Sequence, residues 1–168
     1  MSGGDGSAAD GGAGGSDDAD PAYTASVVGG TGFTGGELLR VLYQHPDFSV
    51  TQATSRSKER KTVGHVHPNL REMDLRFTSP EDLESVDVLF AATPHGISME
   101  RIDAFQAAAD TVVDLSADFR LGTEEEYDEW YDGHTQPDLL DESEYALPEI
   151  NRGNLPGADL IASGGCNA

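Results

Sequence analysis

Cysteine is almost absent from this chain of 168 residues: Cys166, two positions before the last residue, is its single thiol. One thiol permits no internal disulfide, and it excludes structural zinc sites built from four cysteines or from two cysteines and two histidines. Lysine is nearly as scarce. Lys58 and Lys61 are the only two, and all ten basic residues together face 31 acids, for a net charge of −21. Such a surface repels nucleic-acid phosphates and anionic membranes, so neither is expected as a partner. Long apolar runs are missing as well, since no segment approaches the roughly 18 apolar residues of a membrane span.

Residues 1–21 are expected to form a disordered acidic tail. Met1 to Asp20 is Gly, Ser, Ala and Asp, with no basic residue and no large apolar one after Met1. It has neither the basic start nor the apolar stretch of a signal peptide, and the expectation is a soluble cytoplasmic protein. The remaining acids are spread along the chain. Adaptation to a salt-rich cytoplasm accounts for them, and an acidic docking face for a basic partner is the alternative. Salt screens the self-repulsion of so charged a fold. Structure is therefore expected to be lost in dilute buffer and regained in molar KCl, as followed by circular dichroism; an unchanged spectrum contradicts this.

Past the tail, short apolar β-branched runs alternate with helical stretches. Strands are expected at Ala25–Val28, Phe48–Thr51, Val86–Ala91, Thr111–Asp114 and Asp159–Ala162. A helix over Thr34–Gln44 places Leu38, Leu39 and Leu42 on one face, and another over Ser98–Ala109 aligns Ile102, Phe105 and Ala109. A polar loop spans Ser55 to His67, Ser79-Pro80-Glu81-Asp82 reads as a helix start, and Thr123 to Tyr131 is an acidic amphipathic stretch. Strands alternating with helices imply a doubly wound α/β fold with a mostly parallel sheet.

Gly29-Gly30-Thr31-Gly32-Phe33-Thr34-Gly35 falls between the first strand and the first helix. It fits G-x-G-x-x-G from Gly30 and G-x-x-G-x-x-G from Gly29. Either register allows a tight turn, close backbone approach and a helix N-terminus facing a pyrophosphate; a plain strand–helix turn is the alternative. The second strand ends in Thr54-Ser55-Arg56-Ser57, with a cation between hydroxyls where NAD folds usually carry an acid. Arginine holds a 2′-phosphate bidentately, so NADP is the expected cofactor, with a solvated loop arginine as the alternative. Nucleotide-sugar epimerases and short-chain dehydrogenases share the glycine loop, but they rely on Tyr-x-x-x-Lys. Thr54 and Ser57 stand four residues before the two lysines, so the pattern is absent.

Ser163-Gly164-Gly165-Cys166 follows the apolar run Leu160-Ile161-Ala162. Glycines allow a sharp strand-to-helix turn, and the N–H groups of a following helix favour a thiolate, although that helix would lie beyond Ala168. An inert core cysteine is the bland alternative.

The remaining blocks carry a resemblance. Thr93-Pro94-His95-Gly96, Asp114-Leu115-Ser116-Ala117-Asp118-Phe119-Arg120, Tyr145-Ala146-Leu147-Pro148-Glu149-Ile150-Asn151-Arg152 and His65-Val66-His67-Pro68-Asn69-Leu70 occur in an order that resembles the N-acetyl-gamma-glutamyl-phosphate reductase family. The likeness runs from about Val27 to Ala168. Around the thiol, Ser163-Gly164-Gly165-Cys166-Asn167-Ala168 is similar to the branch acting on substrates held by the amino-group carrier protein LysW. Arginine-pathway reductases carry Asn-Pro-Gly-Cys-Tyr-Pro there.

The resemblance implies a Rossmann-type NADP-binding domain over residues 22–165, with residues 166–168 opening a catalytic domain whose remainder lies beyond the chain. It implies NADPH-dependent reduction of LysW-linked 2-aminoadipyl or glutamyl phosphate to the semialdehyde, for lysine or arginine synthesis, through a thioester on Cys166. Cofactor contacts would come from Gly29, Gly30, Thr31, Gly32, Phe33, Thr34, Gly35, Ser55, Arg56 and Ser57. Arg120 and Arg152 would hold substrate phosphate or carboxylate, with pairing to surface acids the alternative. The acid–base histidine of such enzymes belongs to the second domain; His95 is expected to shape the nicotinamide side of the cleft, with a substitute acid–base role as the alternative. His65 and His67 have metal-like spacing but no third ligand, and no metal is expected. The full-length protein is expected to be a homo-oligomer, and these 168 residues alone to lack turnover. Alternatives are the arginine-pathway reductase and a non-catalytic NADP-binding module. Aspartate-semialdehyde dehydrogenase shares the architecture but fits Ser-Ala-Asp-Phe-Arg poorly.

Overall fold

The computed structural model describes residues 21–168, so all but the last residue of the expected 1–21 tail lies outside the described residues. The chain runs β1 (Tyr23–Val28), α1 (Phe33–Tyr43), β2 (Phe48–Thr54), α2 (Val63–Val66), β3 (Phe77–Thr78), β4 (Val86–Ala91), α3 (Ile97–Ala108), β5 (Ala109–Asp114), α4 (Glu124–Asp128), β6 (Glu144–Ala146), α5 (Pro148–Asn151) and β7 (Leu160–Ser163). Seven strands form one sheet in the order β3-β2-β1-β4-β5-β7-β6, and every pairing is parallel. All strand C-termini therefore share one edge. The order reverses between β1 and β4, which is where open α/β sheets bind ligands.

Alternation along β1 sorts two cores. Ala25 and Val27 pack with Leu39 and Leu42 of α1, Ala53 of β2, Val63 and Phe77 on one side. Val28 joins Leu89 and Ala91 of β4, Ile102 and Phe105 of α3, and Val112, Leu160 and Ala162 on the other. Each fully buried Leu, Ile or Phe contributes about 1.5–3 kcal/mol, so helices are held on both faces. The doubly wound reading holds.

Local boundaries differ from expectation for physical reasons. Residues 79–82 make a single turn (Asp82 N–H to Ser79 O, 3.1 Å) and no helix. The buried Gln52 side chain captures the backbone on leaving that turn. Its Nε2 donates to Asp82 O (2.7 Å) and its Oε1 accepts from Glu84 N–H (3.2 Å), drawing the chain extended toward β4. α3 ends at Ala108 because Ala109 already pairs with Val86 in the sheet. The polar loop after Ser55 contains α2, whose Val63 is fully buried. In the acidic stretch, the Thr123 hydroxyl caps α4 by accepting from Glu126 N–H (3.2 Å), and Tyr127 is buried beneath it.

Candidate functional site

The loop after β1 is shaped by its own backbone. Gly29 has φ +81, and a side chain there would meet the Ala92 backbone. Gly32 N–H donates to Gly29 O (3.1 Å), and Gly30 N–H to Thr54 O (3.1 Å), which ties the loop to the end of β2. At Gly35 a Cβ would lie 2.8 Å from Gly30 Cα and collide with the Gly29 carbonyl oxygen, so the first turn of α1 sits directly on the loop. The Thr31 N–H has no acceptor among the described residues. A cradle that side chains would fill, a free backbone donor and a helix N-terminus together fit a diphosphate.

Beside it, a cleft of about 330 Å³ is lined by Gly29, Thr31, Ser55, Arg56, Ser57, Thr93, Pro94, His95 and Arg101, among others. Five expected cofactor residues therefore meet in one place. Ser55 is buried and builds the turn: its Oγ accepts from Ser57 N–H (3.3 Å) and Lys58 N–H (3.0 Å), and lies 3.3 Å from Thr31 Oγ1. Arg56 is exposed and has no side-chain hydrogen bond or ion pair among the described residues. Gly32 and Phe33 line a separate depression on the α1 side, and Phe33 is fully exposed. Arg101, which the sequence pattern did not single out, forms the cleft's far wall. It is fixed by Pro80 O (2.6 Å), Glu81 Oε1 (3.0 Å) and the Phe105 ring (5.6 Å).

The ends of β4 and β5 are joined by a buried polar network. Ser98 Oγ donates to Asp114 Oδ1 (2.6 Å) and Ser116 Oγ to Asp114 Oδ2 (2.7 Å); Asp118 N–H donates to Ser116 Oγ (3.0 Å). Asp118 in turn accepts from Gly96 N–H (2.8 Å), Met99 N–H (3.0 Å) and His95 Nδ1 (2.8 Å). The carboxylate only accepts, so His95 carries a proton on Nδ1. Its Nε2 lies 3.2 Å from the Tyr127 hydroxyl, and Tyr131 lies against its ring at 4.5 Å. Burial first, then the charge of Asp118, pushes Tyr127 up to about 12, so the phenol stays neutral. His134 donates Nε2–H to Asp118 O (2.8 Å), a contact no sequence pattern signalled.

Asp114 carries a pH signature. Burial raises its carboxyl above the usual range, outweighing the hydrogen bonds from Ser98 and Ser116 that lower it, and Asp118 adds to the rise. The folded state thus holds this proton to higher pH than the unfolded chain does. Its stabilising share is complete below the ordinary aspartate value of about 3.9 and is lost as pH rises through the folded-state value. An asparagine retains the serine contacts. Asp114→Asn is expected to be as stable as wild type or more so at neutral pH, and to lose less stability as pH rises from the ordinary aspartate value of about 3.9 toward neutral, measured by urea unfolding in molar KCl. An unchanged slope contradicts this.

Cys166 is exposed and lies on a turn closed by Ala168 N–H to Gly165 O (3.0 Å). The turn comes directly after β7, and Gly164 N–H is held by Ala146 O of β6 (2.9 Å). Arg120 spans the ends of β5 and β7: Nε donates to Ser163 O (2.8 Å), Nη2 to Leu115 O (2.8 Å), and Nη1 lies beside Gly165. One of its three nitrogens therefore fixes the backbone that carries the thiol, and a second ties it to the end of β5. Arg152 is exposed, lines neither cleft, and has no side-chain partner among the described residues. Groups of three or more His, Cys, Asp or Glu side chains suited to a metal ion are absent among the described residues. His67 is engaged elsewhere, with Nε2 2.8 Å from Gly30 O. No helix among the described residues is long and apolar enough to cross a membrane.

The chain is similar to known proteins. A protein of Haloarcula marismortui named as a LysW-L-2-aminoadipate/LysW-L-glutamate phosphate reductase is 80% identical over 146 residues, covering 87% of this chain and 42% of the relative. A Thermococcus kodakarensis protein of the same name is 48% identical over 144 residues, 86% of this chain and 43% of that one. The chain thus spans about two fifths of the length of these relatives. Two solved structures share the fold. Aspartate semialdehyde dehydrogenase II of Vibrio cholerae has a TM-score of 0.59 at 19% identity, over 86% of this chain and 42% of its own. The Candida albicans aspartate semialdehyde dehydrogenase with NADP has a TM-score of 0.58 at 15% identity, over 84% and 42%. Residues 24–158 match the semialdehyde dehydrogenase, NAD binding domain, and the chain belongs to that family.

Proposed function

We propose that this chain is the NADP-binding portion of a reductase converting a LysW-linked 2-aminoadipyl or glutamyl phosphate to its semialdehyde, with Cys166 as nucleophile. One observation carries the reading: the exposed thiol sits on a glycine turn at the C-terminal end of β7, and the glycine loop leaves the same edge of an all-parallel sheet. The substrate is drawn from the names of relatives up to 80% identical. NADP is drawn from Arg56, a guanidinium at the mouth of the cleft with no partner among the described residues, and from Ser55 and Ser57 beside it. The residues fit the dinucleotide, with Gly29 to Gly35 at the diphosphate and Ser55 to Ser57 at the ribose phosphate.

The Cys166 thiolate attacks the acyl carbon; the carbon–sulfur bond forms, the carbon–oxygen bond to phosphate breaks, and inorganic phosphate leaves. The reduced cofactor, when bound, supplies hydride for reduction of the thioester. The thiohemiacetal then releases aldehyde and returns the electron pair to sulfur. Arg120 holds the thiol turn in place and keeps Nη1 on the side facing Gly165, where it can meet the leaving phosphate.

The test offers a protein carrying this chain at its relatives' length two acyl phosphates with NADPH, one LysW-linked and one N-acetylated. Only the carrier-linked substrate is expected to be reduced. Equal consumption of N-acetylglutamyl phosphate overturns the substrate. In the same assay Arg56→Ala is expected to raise the KM for NADPH on the order of tenfold and that for NADH less than twofold, because one charge-assisted bidentate contact is lost. Equal losses for both overturn the cofactor.

A further inference from the structure

The segment that leaves β2 through Ser55, Arg56 and Ser57 returns beneath the glycine loop before reaching β3. There His67 makes two contacts. Its Nε2 lies 2.8 Å from the Gly30 carbonyl oxygen, and its ring lies against Gly36, where an added Cβ would fall 2.7 Å from Nδ1. A carbonyl only accepts, so Nε2 carries the proton. The Phe77 ring stands edge-on at 6.4 Å and closes the far side.

The peptide between Gly30 and Thr31 is trans, as are all the described peptide bonds. In a trans peptide the carbonyl and the following N–H point in opposite directions. A hydrogen bond that holds Gly30 O toward His67 therefore turns Thr31 N–H away from it. That is the donor with no acceptor among the described residues, on a residue that lines the cofactor cleft. Gly30 N–H, in the preceding peptide, is tied to Thr54 O, and the Gly30–Thr31 plane cannot rotate without breaking the bond to His67.

We infer that His67 is a positioning residue for the cofactor: by donating Nε2–H to Gly30 it aims the Thr31 N–H at the diphosphate. This rests on the dinucleotide reading under the proposed function. It also makes the ribose end and the diphosphate end of the site depend on one connection, since the residues from Arg56 to His67 are continuous.

The test measures dissociation constants in molar KCl for NADPH, for ADP-ribose 2′-phosphate, which keeps the diphosphate, and for 2′-AMP, which lacks it. His67→Ala is expected to weaken the first two about tenfold and 2′-AMP less than twofold, since one aimed hydrogen bond is lost. His67→Gln, whose amide nitrogen occupies the ε position, is expected to restore most of the affinity. His67→Asn, whose amide stands where Nδ1 does, is not. Gly36→Ala, which displaces the ring while leaving the histidine in the chain, is expected to reproduce the alanine pattern and serves if His67→Ala does not fold. Undiminished NADPH binding in both His67→Ala and Gly36→Ala overturns the inference. So does an equal loss for 2′-AMP, which would mark general loosening, or a glutamine variant no better than alanine. Wild-type protein that binds none of the three ligands overturns the dinucleotide reading itself, and this inference with it.

Discussion

Cys166→Ser is expected to lower turnover by about 10⁴-fold or more in a protein carrying this chain at its relatives' length, while leaving NADPH affinity within about twofold. The backbone leading into the thiol is already fixed. β7 is locked between β5 (Val112 to Leu160, Asp114 to Ala162) and β6 (Glu144 to Ile161, Ala146 to Ser163). Arg120 holds Ser163 O, and Ala146 O holds Gly164 N–H. A side chain exposed on so fixed a turn approaches a bound carbonyl along one direction, which is the entropic advantage of a preorganised nucleophile. Serine fits the same space, but its hydroxyl is a far weaker nucleophile than a thiolate. Phosphate release without cofactor separates chemistry from packing. With carrier-linked acyl phosphate and no cofactor, wild type is expected to release about one equivalent of phosphate per active site, as acyl transfer to sulfur requires, and Cys166→Ser none. Undiminished turnover in the serine variant would remove the nucleophile and the mechanism with it.

Period and punctuation made the framework legible. The apolar runs Ala25 to Val28 and Val86 to Ala91 became the paired centre of the sheet, and the glycine loop fell between β1 and α1 where the sheet order reverses. What escaped was either too short to carry a period or was decided by a distant side chain. β3 has two residues and β6 three, and both exist only because longer strands lie beside them. The expected helix at Ser79 was overruled by Gln52, 30 residues away from Asp82 in sequence. In the site, Ser55, Arg56 and Ser57 were readable from their place after β2, but the division of labour was not: Ser55 shapes the turn and leaves Arg56 free. His67 drew notice for its spacing to His65, a metal pattern, while its partner is a backbone carbonyl 37 residues upstream. Side-chain to backbone bonds across such separations leave no periodic trace.

Gly35→Ala sets two local effects against each other, and their magnitudes decide the outcome. Alanine is favoured over glycine inside a helix by about 1 kcal/mol, so propensity alone forecasts a more stable α1. The added methyl, however, would lie 2.8 Å from Gly30 Cα and strike the Gly29 carbonyl oxygen. Neither atom belongs to a side chain that can swing aside. Overpacking of this kind costs about 1–3 kcal/mol, more when backbone must move. The movement also falls on the groups that would receive the diphosphate: Gly29 O anchors Gly32 N–H, and Gly36 N–H closes the first turn onto Gly32 O (2.8 Å). NADPH affinity is expected to fall on the order of 100-fold, about 2.7 kcal/mol, and the melting midpoint by several degrees. Gly153→Ala is the control, because nothing lies within 4 Å of a Cβ there and its φ is not positive, so only the unfolded chain is restrained. That variant is expected to melt at or slightly above the wild-type temperature and to bind NADPH unchanged. A Gly35→Ala protein that bound NADPH as tightly as the Gly153 variant would separate the helix N-terminus from the diphosphate. The cofactor would then have to enter the cleft without using the part of the loop where the first turn of α1 meets the Gly29–Gly30 backbone.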